Sequence, residues 1–239
     1  MRAVIGEDIR GERLNRLLAG AGHSLRTPLN SVLGFTEVLL MELPGSLNEE
    51  QRRQLRNVRS GALQMDMTIG NLLDLVRIET GLMELPLGPV DVGAVVEEVR
   101  AELQRFADEK ELSLEAEVPS GMTCHTNERA INRILVNLTS NAISFTDAGG
   151  VQILGVVSDG VGSARVDVID TGIGFPELER ERLFEPFERG PVPKGDAAGG
   201  AGLGLQVSCR LADLLGTEIV VQGRPGRGSR FSLILPRRD

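Results

Sequence analysis

Between Leu18 and Leu39 the residues Leu18, Ala21, Leu25, Pro28, Val32, Phe35 and Leu39 follow one another at alternating spacings of three and four. That rhythm limits the fold more than any other feature of the chain, because it marks a helix whose apolar seam must pack lengthwise on another helix. The stretch LPGS at 43–46 interrupts it, and Ser46 followed three residues later by Glu49 reads as a capping box for a second helix. Leu55, Val58, Ala62, Met65, Ile69, Leu72 and Val76 then repeat the seam until Gly81 supplies a C-terminal stop. Residues 1–82 are therefore expected to form an all-α helical hairpin. Two helices alone bury little surface, so the expected product is a homodimer whose two hairpins complete a four-helix bundle.

His23, one of two histidines, falls at position f of this heptad frame, turned away from the seam, and is expected to be exposed. Pro28 has no N–H for the carbonyl of Ser24 and its ring crowds the same turn, which predicts a bend just beyond His23 and room for a partner to reach the imidazole. A solvated surface histidine fits the same description, so His23 takes its meaning from what else the chain carries.

From position 83 the pattern changes. Residues 83–90 read as linker and 91–239 as a second domain of mixed helices and strands. The expected elements are a helix from about 91 to 110 after a short extended entry, a strand in LSLEAEV, and a helix near 127–145 capped by Thr126. Strands VQILGVVS and ARVDVID follow, joined by the turn DGVG, then a loop with a short helix, a helix at about 202–215, and strands TEIVVQG and SRFSLIL. One antiparallel or mixed sheet with three helices on one face, an α/β two-layer sandwich, is the architecture these predict.

Composition narrows the function. With 34 acidic against 26 basic residues, no Trp, no Tyr and seven Phe, the chain lacks both the charge and the stacking groups of a nucleic-acid surface. Cys124 and Cys209 match no metal-ligand spacing and are too few for a disulfide framework, which predicts a reducing, cytoplasmic setting. No apolar run approaches the ~20 residues of a membrane span, and the first residues lack the h-region of a signal peptide, so neither a span nor a secretion signal is expected in this stretch.

Three stretches of the second domain carry chemistry. NLTSNA places Asn137 and Asn141 at i and i+4 on one helical face, where two amide oxygens would meet one hard cation. DTGIG puts Asp170 at the end of a strand, followed by Gly172 and Gly174, whose missing side chains let a flat ligand approach the backbone. GGAGLGL at 199–205 brings glycines to the start of a helix, where backbone N–H groups hold phosphate oxygens. Taken singly, the first is equally a polar helix face, the second a turn and the third a structureless loop.

In order, HSLRTPLN, NLTSNA, DTGIG, FEPFER and GAGLGL form a five-part arrangement that resembles the catalytic core of bacterial sensor histidine kinases: phosphoacceptor box, N box, first glycine box, F box and second glycine box. The resemblance runs from about residue 8 to the C-terminus. It implies a dimerisation and phosphotransfer hairpin followed by a GHKL-type (Bergerat) ATP-binding domain. It also implies an enzyme that phosphorylates itself on His23 and passes the phosphoryl group to an aspartate of a response regulator receiver domain, under a sensor that the chain does not identify. On the same ground Asp170 is expected to bond the adenine amino group, and Asn141 with Asn137 to hold Mg²⁺ against the triphosphate of ATP. Gly172 and Gly174 would line the nucleotide pocket, while Gly202, Leu203 and Gly204 would approach the phosphates from a lid that includes residues 188–201. Arg189 would meet the γ-phosphate, and Thr27 would orient water when the partner is dephosphorylated.

Three positions depart from the family pattern. Ser24 stands where relatives have an acidic general base beside the histidine, Ser144 where they commonly have a Lys that contacts phosphate, and Asn127 where they often have Asp. These leave a weakly active or inactive dimeric regulator, or a phosphotransfer scaffold that binds ATP, as the alternative. A non-kinase ATPase of the same superfamily has no reason for an H-x-L-R-T-P helix, and no strand leads into GGAGLGL as a dinucleotide fold requires. His125 is read as structural.

Overall fold

The computed structural model describes residues 2–157, 163–180, 182–184 and 202–236, and they divide between Met83 and Glu84 into two compact units. The first is a hairpin of α1 (Arg2–Leu40) and α2 (Glu49–Glu79). Pro28 lies inside α1, which continues through it as helix, so losing the one donor for the Ser24 carbonyl does not end the element. The capping box of α2 sits two residues beyond the expected place. Asn48 Oδ1 accepts from the Gln51 N–H (2.8 Å) while Gln51 Oε1 accepts from the Asn48 N–H (3.0 Å). Asparagine caps at least as well as serine, and glutamine closes the box as glutamate would, so the helix starts where both partners meet. Gly81 ends α2 as expected. With φ +68° it turns the chain left-handed, and the N–H groups of Gly81 and Leu82 bond the carbonyls of Ile78 and Arg77.

Inside the hairpin Gly22, Leu29 and Thr36 of α1 and Arg59, Ala62, Gly70 and Asn71 of α2 are buried. Arg26 Nε bonds Asp66 Oδ1 across the pair at 3.0 Å. Gly22, Leu29 and Thr36 occupy heptad position e, beside the periodic seam rather than on it. Most of the seam is left uncovered: Leu25, Val32, Phe35, Leu39, Val58, Met65 and Leu72 are all exposed, Phe35 to 73%. One chain therefore satisfies only half of the helical pattern. Among the described residues no helix is long and apolar enough to cross a membrane.

The second unit comprises β1 (Gly88–Asp91), α3 (Val92–Glu109), β2 (Ser113–Glu117), β3 (Thr123–Thr126), α4 (Glu128–Ser144), β4 (Gly150–Val157), β5 (Ser163–Asp170), α5 (Leu203–Leu215), β6 (Glu218–Gly223) and β7 (Ser229–Pro236). Five strands form one mixed sheet in the order β2-β4-β5-β7-β6, parallel only between β2 and β4. Strand alternation turns Ala164, Val166 and Val168 of β5 and Leu233 and Leu235 of β7 toward the helices. They meet Ile131, Ile134, Leu135 and Leu138 of α4 and Val207 and Leu211 of α5 in a core almost wholly closed to solvent. This is the expected two-layer sandwich. The turn DGVG lies outside the described residues.

Beside the main sheet β1 and β3 pair antiparallel, Pro89 opposite His125 and Val90 opposite Cys124. Positions 88–90, expected as linker, are thus strand, and His125 is exposed on β3. Asn127, not Thr126, caps α4. Its Oδ1 accepts from the Ala130 N–H at 3.0 Å and its Nδ2 donates to the Pro86 carbonyl at 2.7 Å. An ionised aspartate would cap the helix equally but has no proton for Pro86, which gives the asparagine here a physical reason.

Burial pushes the thiol of Cys124 up to about 11 and that of Cys209 to about 12. Neither is a nucleophile near neutral pH. Iodoacetamide is expected to modify both slowly in the native protein and promptly once denaturant is added; rapid native labelling of either would contradict their placement.

Candidate functional site

Asp170 closes β5 with its side chain among buried surroundings, 5% exposed. Its Oδ1 accepts from the Gly172 N–H at 2.8 Å and the Ser229 N–H at 3.2 Å. Burial raises the affinity of this carboxylate for a proton above the ordinary carboxylate range, and the hydrogen bonds from Gly172 and Ser229 pull partly the other way. One oxygen is thus pinned by two backbone donors, which fixes where the other points.

Three glycines make that arrangement possible. A Cβ at Gly172 would collide with the carbonyl oxygen of Phe145, one at Gly174 with that of Arg224, and one at Gly228 with that of Asp170. Gly174 and Gly228 also hold φ values of +60° and +77°, which favour glycine. The loop is seated by the Ile173 N–H on the Phe145 carbonyl (3.2 Å) and by the Gly226 N–H on the Ile173 carbonyl (2.7 Å). Thr171 Oγ1 donates to the Ala148 carbonyl and accepts from the Gly150 N–H, both at 3.0 Å. The DTGIG loop therefore rests between the end of α4 and the β6–β7 turn. Gly228 and Ser229 escaped sequence reasoning. Their signal was the glycine pair in RPGRGS, which reads as an ordinary hairpin turn until the fold lays it on Asp170.

The two asparagines of α4 have different surroundings. Asn137 is buried, and its Nδ2 donates to the Gly204 carbonyl (3.2 Å) and lies 3.3 Å from Ser208 Oγ, tying α4 to the first turn of α5. Asn141, one turn on, is half-buried, and its side chain bonds no other described residue. An amide oxygen of this kind suits Mg²⁺, which keeps waters and takes substrate phosphates rather than an all-protein cage. Among the described residues no group of three or more His, Cys, Asp or Glu side chains suited to a metal occurs. Asn141 fits a cation that brings its own phosphate ligands.

Gly202, with φ +73°, precedes α5 and offers no side-chain cap. The backbone N–H groups of the first turn are therefore left to other acceptors, an anion among them. Leu203 buries its side chain, at 2% exposure, so it serves such a ligand through its backbone alone. Gly204 is fixed through its carbonyl by Asn137 and by Ser208 Oγ at 2.9 Å. Arg189, the rest of FEPFER beyond Phe184, and the expected lid at 188–201 lie outside the described residues.

In the first unit His23, Ser24 and Thr27 are all exposed on α1. Gly22 faces α2, where a Cβ would meet Leu73 Cδ1 at 2.6 Å, so the neighbouring His23 is turned outward. Thr27 Oγ1 donates to the His23 carbonyl at 2.9 Å, which holds the threonine hydroxyl one turn from the imidazole.

Known proteins repeat both halves of this arrangement. The His Kinase A (phospho-acceptor) domain matches residues 13–81, and the histidine kinase-, DNA gyrase B- and HSP90-like ATPase family matches residues 126–239. The circadian input-output histidine kinase CikA of Synechococcus elongatus is 33% identical over 222 residues, covering 92% of this chain and 29% of its own. The histidine protein kinase DivJ of Caulobacter vibrioides is 34% identical over 224 residues, covering 92% of this chain and 37% of its own. Full-length ShkA, solved in complex with AMPPNP, superposes with a TM-score of 0.67 at 32% identity over 92% of this chain and 45% of that one. The chain spans less than half the length of these relatives.

Proposed function

The chain carries the catalytic core of a sensor histidine kinase, and from that premise we propose that it phosphorylates itself on His23 with ATP and Mg²⁺ and passes the phosphoryl group to an aspartate of a response regulator receiver domain. The observation that carries the reading is that one chain combines an exposed imidazole at His23 with a buried, backbone-pinned carboxylate at Asp170. In the reaction a ring nitrogen of His23 attacks the γ-phosphorus, the bond from phosphorus to the oxygen of ADP breaks, and the imidazole gives up its N–H proton. Little covalent chemistry falls to the protein, so positioning and charge neutralisation set the rate.

Each residue then has a task. Asp170 accepts from the adenine amino group through the oxygen that the backbone leaves open. Asn141, with Asn137, would hold Mg²⁺, which when bound would neutralise charge on the triphosphate, while the Nδ2 of Asn137 braces the turn of α5 that Gly202, Leu203 and Gly204 present to the phosphates. Gly172 and Gly174 keep the adenine loop low enough for a ring to lie over it, and Arg189 meets the γ-phosphate. Thr27 orients water in the reverse, phosphatase direction. The uncovered seam of α1 and α2 is the homodimer interface, four helices being what these two stripes need for cover. Incubation with γ-labelled ATP and Mg²⁺ tests the reading: acid-labile, base-stable label on the protein supports it, and nucleotide binding without such label favours a regulator or scaffold.

Ser24 sets the expected pace. Its hydroxyl cannot take a proton from the imidazole near neutral pH as a carboxylate would, so the attack is unassisted or uses water. A positioned general base is worth ~10²–10⁴-fold, and the lower end applies to a nucleophile as good as imidazole. Ser24→Glu, at an exposed helical position, is expected to raise the single-turnover labelling rate at saturating ATP roughly tenfold or more, with nucleotide affinity unchanged. A glutamate variant no faster than the parent removes Ser24 as the limiting feature and turns attention to Ser144.

A further inference from the structure

Lys110, the residue after α3, reaches across to the far end of α4, and its Nζ lies 3.0 Å from the Ile143 carbonyl, 2.8 Å from that of Ser144 and 3.3 Å from that of Thr146. An ammonium has three protons and no acceptor, so these bonds use the group completely. The last turn of a helix leaves carbonyls without backbone donors and carries the negative end of the helix dipole, which is where a cation stabilises it most. The remaining carbonyls of this turn are also assigned: Asn141 accepts from the Phe145 N–H, and Ala142 from Thr146 Oγ1. Phe145 is different. Its carbonyl, flanked by carbonyls that Lys110 holds, accepts from Ile173 of the DTGIG loop and is the atom against which Gly172 packs.

Resting on the nucleotide-binding reading above, we infer that Lys110 is a positioning residue for the nucleotide site, acting through the last turn of α4. That turn carries both Asn141, the residue placed at Mg²⁺, and the Phe145 carbonyl on which the adenine loop sits. Lys110 anchors it to the end of α3 by three bonds. The α3 end is itself firmly closed, with the N–H groups of Glu111 and Leu112 on the carbonyls of Asp108 and Ala107. Glu111 adopts φ +56° to make that closure, a left-handed conformation that a non-glycine residue takes only at a cost. The strained turn sets Lys110 at the helix end from which it reaches α4. No part of this needs the ammonium to touch the ligand.

Lys110→Met keeps the length of the side chain and removes its charge and donors, while Lys110→Arg restores both. In the full chain, well below the unfolding temperature, Lys110→Met is expected to weaken ATP binding about tenfold and Lys110→Arg to recover most of that loss. Without any nucleotide, amide exchange at Ile173, which donates to the Phe145 carbonyl, is expected to accelerate in the methionine variant and return toward the parent rate in the arginine one. A purely structural role would lower the unfolding temperature and leave affinity and the Ile173 amide as they are, and that result overturns the inference. Should Lys110→Met fail to fold, Lys110→Gln decides by the same two measurements. A parent chain that binds no ATP would defeat the proposed function instead, while the Ile173 exchange rate still reports on Lys110.

Discussion

Replacing Asp170 by asparagine is expected to weaken ATP binding about 100-fold or more, a loss of the size expected when a charged hydrogen bond is exchanged for an unpaired donor. The reason lies in which oxygen the backbone holds. Gly172 and Ser229 both donate to Oδ1, so an asparagine must place its carbonyl oxygen there to keep those bonds. Its NH₂ then takes the position of the other oxygen and presents hydrogens to the amino group of adenine. The isostere keeps the loop and inverts the recognition.

The same substitution should not weaken the folded domain. Burial shifts the proton affinity of Asp170 upward, so the ionised form is held at a cost to the ligand-free protein. A group whose folded-state pKa is raised binds more protons folded than unfolded, and stability therefore falls as pH rises through the window above the ordinary carboxylate range. An asparagine at this position has no such dependence. Thermal unfolding should show the variant at least as stable as the parent at neutral pH, with its advantage shrinking as the pH is lowered into that window. An Asp170→Asn protein that binds ATP normally defeats the adenine assignment. One that unfolds early shows instead that the carboxylate holds the loop together.

How far these sites were legible in the sequence depends on how local their physics is. His23 was placed outward by counting heptads, because exposure on a helix follows from period alone. Gly81 was recognisable as a stop because a left-handed residue at a helix end is a one-residue decision. The capping box of α2 was displaced by two positions because Ser46-x-x-Glu49 and Asn48-x-x-Gln51 spell the same signal, and only the path of the turn from Glu42 onward separates them.

The surroundings of Asp170 were not local. DTGIG marks the residue, but Ser229 lies 59 positions away and Phe145 caps the end of α4, and no spacing rule connects them. Asn137 and Asn141 illustrate the limit most plainly. Their i, i+4 spacing puts them on one face of α4, yet the packing of α5 engages the first and leaves the second open. Lys110 carried no motif at all. A lysine after a helix is ordinary, and its role is visible only once the fold brings the end of α4 within reach of it.

The second large effect concerns the reacting atom. His23→Gln is expected to abolish acid-labile labelling from γ-labelled ATP while leaving nucleotide binding at the parent level. Glutamine is a good helix former at an exposed position, and the neighbours that orient the site do not depend on the imidazole: Gly22 packs toward Leu73, Arg26 is bonded to Asp66, and Thr27 Oγ1 bonds the backbone of residue 23. The described residues assigned to ATP all belong to the second unit. The variant therefore removes the nucleophilic nitrogen and nothing else, and an amide nitrogen, its lone pair delocalised into the carbonyl, does not replace it. Label that persists in His23→Gln with the stability of a phosphoester would place the phosphoryl group on a hydroxyl. Label that persists with acid lability would place it on another side-chain nitrogen, that of His125, the other histidine of the chain, or of a lysine or arginine. Either outcome removes His23 as the phosphoacceptor.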